Sequence, residues 1–151
     1  MDARLVGAWA LVAFTRTAAS GAVTHPYGAD AQGSIVYSPD GVVSYQLCAA
    51  NRGRWASGDI ERGTPEELAA AAASFRSYVA RWSTDNHGVV SHDVFLSFHA
   101  DRVGVCLRRR FAFREGADGR TLLSLVPVGG PAGAPREELL WVRVAAGGEA
   151  A

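Results

Sequence analysis

The chain has 151 residues, is 48% hydrophobic, and balances fifteen basic residues, all arginine, against fifteen acidic ones. That length suits one domain, taken as 1–151, able to bury a core without disulfide or metal staples. The balanced charge offers no field for nucleic acid, no run approaches the ~20 apolar residues of a membrane span, and the lack of lysine excludes Schiff-base catalysis and a Walker-type phosphate loop.

Leu5 to Thr17 is rich in Val, Trp, Phe and Thr and reads as a long first strand, with Gly7 and Trp9 two apart on one face. Its apolar part, Leu5 to Phe14, resembles a signal-peptide core, but only Arg4, offset by Asp2, precedes it, so the expectation is a cytoplasmic protein. Ala18 to Gln32 is a connection punctuated by Gly21, Pro26 and Gly28, with a partial strand around Val23. Gly33 to Leu47 is a hairpin whose turn contains Pro39, Asp40 and Gly41, where glycine accepts a positive φ without steric cost. In its second strand Ser44 and Gln46 alternate with Val43, Tyr45 and Leu47. One of these sets faces inward, and alternation alone does not say which.

Asn51 to Gly63 loses periodicity and reads as a surface loop. Thr64-Pro65-Glu66-Glu67 is a capping box with proline at the first helical position. Leu68, Ala71, Ala72, Phe75, Tyr78, Val79 and Trp82 recur at three- and four-residue intervals, which predicts a helix over about 65–81 packed on or across a sheet. Strands are then predicted at Trp82 to Asp85, Val89 to Phe98, Gly104 to Arg114, Thr121 to Val126 and Glu137 to Val144, with Gly129 to Pro135 a loop and Gly147 to Ala151 a tail. With the first strand and the hairpin this makes eight strands and one helix, the pattern of an all-β, closed antiparallel barrel.

Leu5-Val6-Gly7-Ala8-Trp9 resembles the G-x-W signature with which lipocalins open. His25-Pro26-Tyr27-Gly28, the Tyr-Ser-Pro-Asp-Gly turn, Ala56 to Asp59, Gly63 to Glu67, Gly88 to His92, Arg109-Arg110-Phe111 and Leu140 to Val144 follow in the order of the bacterial and fungal lipocalin-like domain family. The resemblance covers nearly the whole length. It implies an eight-stranded lipocalin-like barrel around an apolar cavity, in a family of which some members are encoded beside natural-product pathways. Related barrels act there as cyclases or pericyclases on polyketide or terpenoid intermediates, and others only bind. The chain departs from the family pattern at Phe95 and at His99 to Arg102, which implies a pocket altered for its own ligand.

On the strand Val89 to Phe98, alternation puts Val90, His92, Val94, Leu96 and Phe98 on one face, with Asp93 opposite. A histidine there is either a general acid or base or a core residue bonded to its neighbours. On the strand after Gly104, Arg109 shares a face with Leu107, Phe111 and Phe113, and a cation among apolar side chains needs a partner or a ligand oxygen. Arg109 and His92 are thus the candidate catalytic residues. The lipocalin pattern supplies a rival role, an arginine packed over the G-x-W tryptophan, open to either Arg109 or Arg143. Candidate ligand-binding residues are Tyr27, Tyr37, Ser44, Tyr45 and Gln46 as neutral donors, with Trp9, Leu107, Phe111 and Trp141 as walls.

His25, His87, His92 and His99 lack zinc spacings, no nucleophile elbow or dinucleotide fingerprint is present, and no metal or redox cofactor is implied. Cys48 and Cys106 lack a CxxC spacing and read as small core residues. The leading functional expectation is a cofactor-independent cyclase or isomerase for a small hydrophobic molecule, with a non-catalytic carrier as the alternative and either a monomer or a homodimer. A third possibility, a structural module, requires the barrel to be filled by its own side chains.

Overall fold

Pro39 and Asp40 bend the chain through the turn that joins its central hairpin, and Gly41 completes it at φ +82°, its N–H donating to the Ser38 carbonyl over 3.2 Å. The same device repeats down the chain, so neighbours in sequence become neighbours in the sheet. The computed structural model describes residues 1–131 and 133–145. Nine strands form: β1 (Gly7–Thr17), β2 (Val23–Thr24), β3 (Gln32–Tyr37), β4 (Val42–Cys48), β5 (Phe75–Thr84), β6 (Val89–Ser97), β7 (Cys106–Glu115), β8 (Thr121–Pro127) and β9 (Arg136–Arg143), with one helix, α1 (Pro65–Ala73). All pairings are antiparallel, and β1 pairs with both β3 and β9, which closes eight strands into a barrel. The ninth, β2, is a two-residue addition to the end of β1. The lipocalin-like all-β barrel expected from the sequence is the fold observed.

Closure needs strands that bend. A bulge between Leu11 and Ala13 lets β1 leave β3 and follow β9. A second bulge, at Phe95, corrects the predicted face of β6. Because Val79 pairs with Leu96 while Ala80 pairs with Val94, alternation shifts by one residue. Val90, His92 and Val94 point inward as predicted, whereas Leu96 and Phe98 are 60% and 52% exposed. Ser97 takes the inward place and lines the cavity.

The predicted helix is half right. The capping box forms, with Thr64 Oγ1 accepting from the Glu67 N–H and Glu67 Oε2 from the Thr64 N–H. The helix ends at Ala73, however, and buries none of its residues. Phe75 starts β5, in full register with β4 from Cys48 opposite Phe75 to Val42 opposite Arg81. Tyr78, Ala80 and Trp82 are the inward, period-two set of that strand. Their spacing satisfies both a helix stripe and a strand face, and the unfilled place between β4 and β6 selects the strand.

The two barrel ends differ. The turns at 38–41, 85–88 and 116–120 lie at the end where β1 begins. There a 3-10 turn (Ala3–Leu5) tucks Leu5 inside, and Trp9 Nε1 donates to the Leu5 carbonyl over 2.9 Å. The long connections, 18–31, 49–74, 98–105 and the described part of the one between β8 and β9, lie at the opposite end. The fully buried Trp9, Tyr37, Trp141, Ile35 and Leu123 pack the closed half, so the interior space is left toward the long connections. The predicted tail, Gly147 to Ala151, falls outside the described residues.

Candidate functional site

A cavity of about 470 Å³ occupies the open half of the barrel. Its apolar wall comes from Phe14, Leu107 and Leu139, and its inner end from Tyr45, Tyr78 and Arg109. Register explains the gathering. Tyr45 and Tyr78 are directly opposed on β4 and β5 and stack at 4.7 Å, while Arg109 opposes Val90 and reaches up from β7. The barrel is therefore not filled by its own side chains.

Beneath that inner surface lies a buried polar cluster. His92 is fully buried, and its Nδ1 is 2.9 Å from the Tyr78 hydroxyl and 3.2 Å from Arg109 Nη1, while its Nε2 is 3.0 Å from the Tyr37 hydroxyl. A guanidinium can only donate, so Nδ1 accepts and the ring proton is on Nε2, donated to Tyr37. Burial, and then the Arg109 charge, hold the His92 pKa well below its ordinary value. The ring is neutral and both nitrogens are engaged.

Burial raises the pKa of Tyr37, of Tyr45 and of Tyr78, for the last against the opposing pull of Arg109. All three are neutral hydroxyls at physiological pH. Burial acts against the charge on Arg109, but a guanidinium keeps its proton far above physiological pH and stays charged here. Arg109 is only 9% exposed, and among the described residues no carboxylate lies within ion-pair distance of it. At the rim stand Arg76, Arg102, His99, Asp101 and Glu137; Glu137 is bound to Arg16 at 2.6 Å, and Arg108 turns to the outer face toward Asp85.

The predicted residues separate cleanly. Tyr45, Leu107 and Arg109 line the cavity. Ser44 and Gln46 lie on the outer face of β4, where Gln46 Nε2 donates to Ser44 Oγ over 2.7 Å, so of the two alternatives it is the Tyr45 face that turns inward. Tyr37 and His92 form the layer behind the cavity wall. Tyr27 is a rim neighbour, packed on Phe14 at 6.0 Å beneath the Arg76 guanidinium. Trp141 stands edge-on to Tyr45 at 5.9 Å, and Phe111 packs on Phe113 toward the closed end.

The arginine over Trp9 is Arg143, its guanidinium 4.1 Å from the ring, donating to the carbonyls of Val6 and Arg4. This leaves Arg109 to the cavity. Both cysteines are free, Cys48 half-buried and Cys106 exposed beside the rim, so neither is the core residue predicted. Sequence reading missed Tyr78, which it had placed on a helix, and Ser97 and Leu139. Period two from Tyr78 to Trp82 was the available signal for the first.

A closed barrel whose cavity opens at one end, with mixed polar and apolar walls over a buried cation, defines a small-molecule-binding fold. The chain belongs to the lipocalin-like domain family, whose model matches residues 6–144. Compared with curated proteins, the sequence matches none. No helix among the described residues is long and apolar enough to cross a membrane.

Proposed function

We propose that the protein is a cofactor-independent cyclase or isomerase that folds a hydrophobic polyketide- or terpenoid-like intermediate inside the barrel and stabilises negative charge on one of its oxygens. One observation carries this reading: a buried guanidinium with no carboxylate partner among the described residues faces the inner end of a cavity that Phe14, Leu107 and Leu139 line beside it. Such a charge is costly unless something in the cavity meets it. Fixed donors in a low-dielectric site stabilise charge that grows during reaction without having to reorganise.

Each residue then has a role. Arg109 receives the oxygen with the N–H groups it does not give to His92, while the Tyr78 hydroxyl donates its proton to His92 Nδ1. Phe14, Leu107, Leu139 and the Tyr45 ring hold the carbon skeleton so that reacting atoms meet. His92 does not line the cavity and acts through Arg109 and Tyr78, so it is a positioning residue.

The test is turnover of polycarbonyl and polyene intermediates by the wild type and by Arg109→Gln. Loss of about a hundredfold or more in kcat is expected, the size associated with removing one preorganised donor. If Arg109→Gln weakens binding and leaves every turnover rate intact, the protein is a carrier of lipophilic ligands, which the same cavity would serve.

A further inference from the structure

Among the described residues, the inner end of the cavity can hold a negative charge but contains no group that could create one. A general base must lie within hydrogen-bond reach of the proton it removes. Around Arg109, the titratable groups are Tyr37 from β3, Tyr45 from β4, Tyr78 from β5 and His92 from β6. The tyrosines are neutral, and the single free lone pair of His92 already accepts from Arg109 and Tyr78. The carboxylates of the cavity, Asp101 and Glu137, are both at the rim, and Glu137 is tied to Arg16. His99 is also at the rim, beyond the end of β6 and roughly 15–20 Å along the strand from His92. The remaining charged groups facing the cavity are cations, Arg76 and Arg102.

From this arrangement we infer that the molecule bound here is itself an oxygen acid: an apolar body ending in a carboxyl group or an acidic enol, held as its anion by the Arg109 guanidinium. This rests on the ligand-binding reading above and specifies the chemistry of the group at the inner end. A simple ketone or an unfunctionalised hydrocarbon would leave the guanidinium unmatched. It would also leave the site without any means of forming an enolate. An acid that ionises in water releases its proton to solvent, enters as the anion, and needs only a donor. A neighbouring guanidinium lowers the pKa of such a group by one unit or more.

Coumarins test this because one ring system carries each end group. Binding of 7-methoxycoumarin, 7-hydroxycoumarin and 7-methoxycoumarin-3-carboxylate to the intact protein is followed by fluorescence from pH 5 to 9. Phenol and phenolate of the second compound differ in absorption. The anions are expected to bind at least about tenfold more tightly than the neutral ether. The bound phenol should titrate about one pH unit or more below the free one. Arg109→Met and Arg109→Gln should erase both effects while 7-methoxycoumarin still binds. The tighter of the two anionic arms tells a carboxylic acid from an enol.

Equal binding of ether and anions by the wild type overturns the inference and leaves the ligand-binding reading standing. An anion preference that survives in both Arg109 variants overturns it as well, because the charge would then be met at the rim. Failure of all three coumarins to bind sinks the binding reading itself.

Discussion

Arg109 and His92 are joined by a 3.2 Å contact between Nη1 and Nδ1, and this pairs a permanent cation with a base that cannot take up a proton. The two residues lie seventeen apart on adjacent strands. The pairing aims the guanidinium at the cavity and keeps the imidazole neutral. It also leaves the positive charge available, which a carboxylate partner would not.

The Arg109 site should trade stability for function. Replacing a buried, uncompensated charge by an apolar side chain of similar length relieves desolvation, and Tyr78 still donates to His92 Nδ1 at 2.9 Å in its absence. Arg109→Met is expected to raise stability by about 1–2 kcal/mol and Tm by a few degrees, while turnover falls. A fall in Tm would mean that the charge is compensated in the folded protein.

His92 should make stability depend on pH. Its pKa is depressed on folding, so below about pH 6.5 the unfolded chain binds a proton that the native state refuses. This contribution is fully present above that pH and is lost progressively as pH falls from there through the depressed native pKa. The loss is expected to grow as pH falls from about 6.5 toward 5. Urea unfolding of wild type and His92→Gln across that range isolates the effect, and identical slopes for the two proteins would refute it.

The closed end should behave in the opposite way to the cavity. Arg143 stacks on Trp9 and holds two backbone carbonyls, so Arg143→Ala should cost about 2–3 kcal/mol and leave the affinity for ligand unchanged. Gly7→Ala should destabilise as well. Gly7 has φ +125°, and an added Cβ would sit 2.9 Å from Arg143 Nη1. Ligand affinity that drops along with stability in Arg143→Ala would break the separation of the two ends.

α1 should be locally and not globally important. Thr64→Ala removes one bond of the capping box, a cost of about 1 kcal/mol to the helix. Because α1 buries none of its residues, hydrogen exchange over 65–73 should accelerate while Tm stays within about 1 °C. A cooperative loss of Tm would show that α1 is part of the barrel's folding unit.

Residues close in sequence announced much of this structure. Pro39, Asp40 and Gly41 specify their turn by backbone chemistry that needs no partner, and Thr64 with Glu67 specify a helix start in the same way. The inward face of β7 could be read from Leu107, Arg109, Phe111 and Phe113 because no bulge interrupts its pairing. Across β6, one extra residue at Phe95 was enough to send Leu96 and Phe98 outward, and nothing local marks that residue as a bulge.

The sequence by itself determined an all-β barrel of the lipocalin-like kind, because period-two hydrophobicity, turn glycines and the Gly7-Ala8-Trp9 opening are local properties. Only tertiary structure decided that 75–84 is a strand, that Tyr45 rather than Gln46 turns inward, and that Arg143 covers Trp9 while Arg109 meets the cavity. Those outcomes depend on pairings between distant strands. The free energy of burying one face, and of satisfying every edge by closing β1 on β9, chooses among alternatives that local spacing leaves equal.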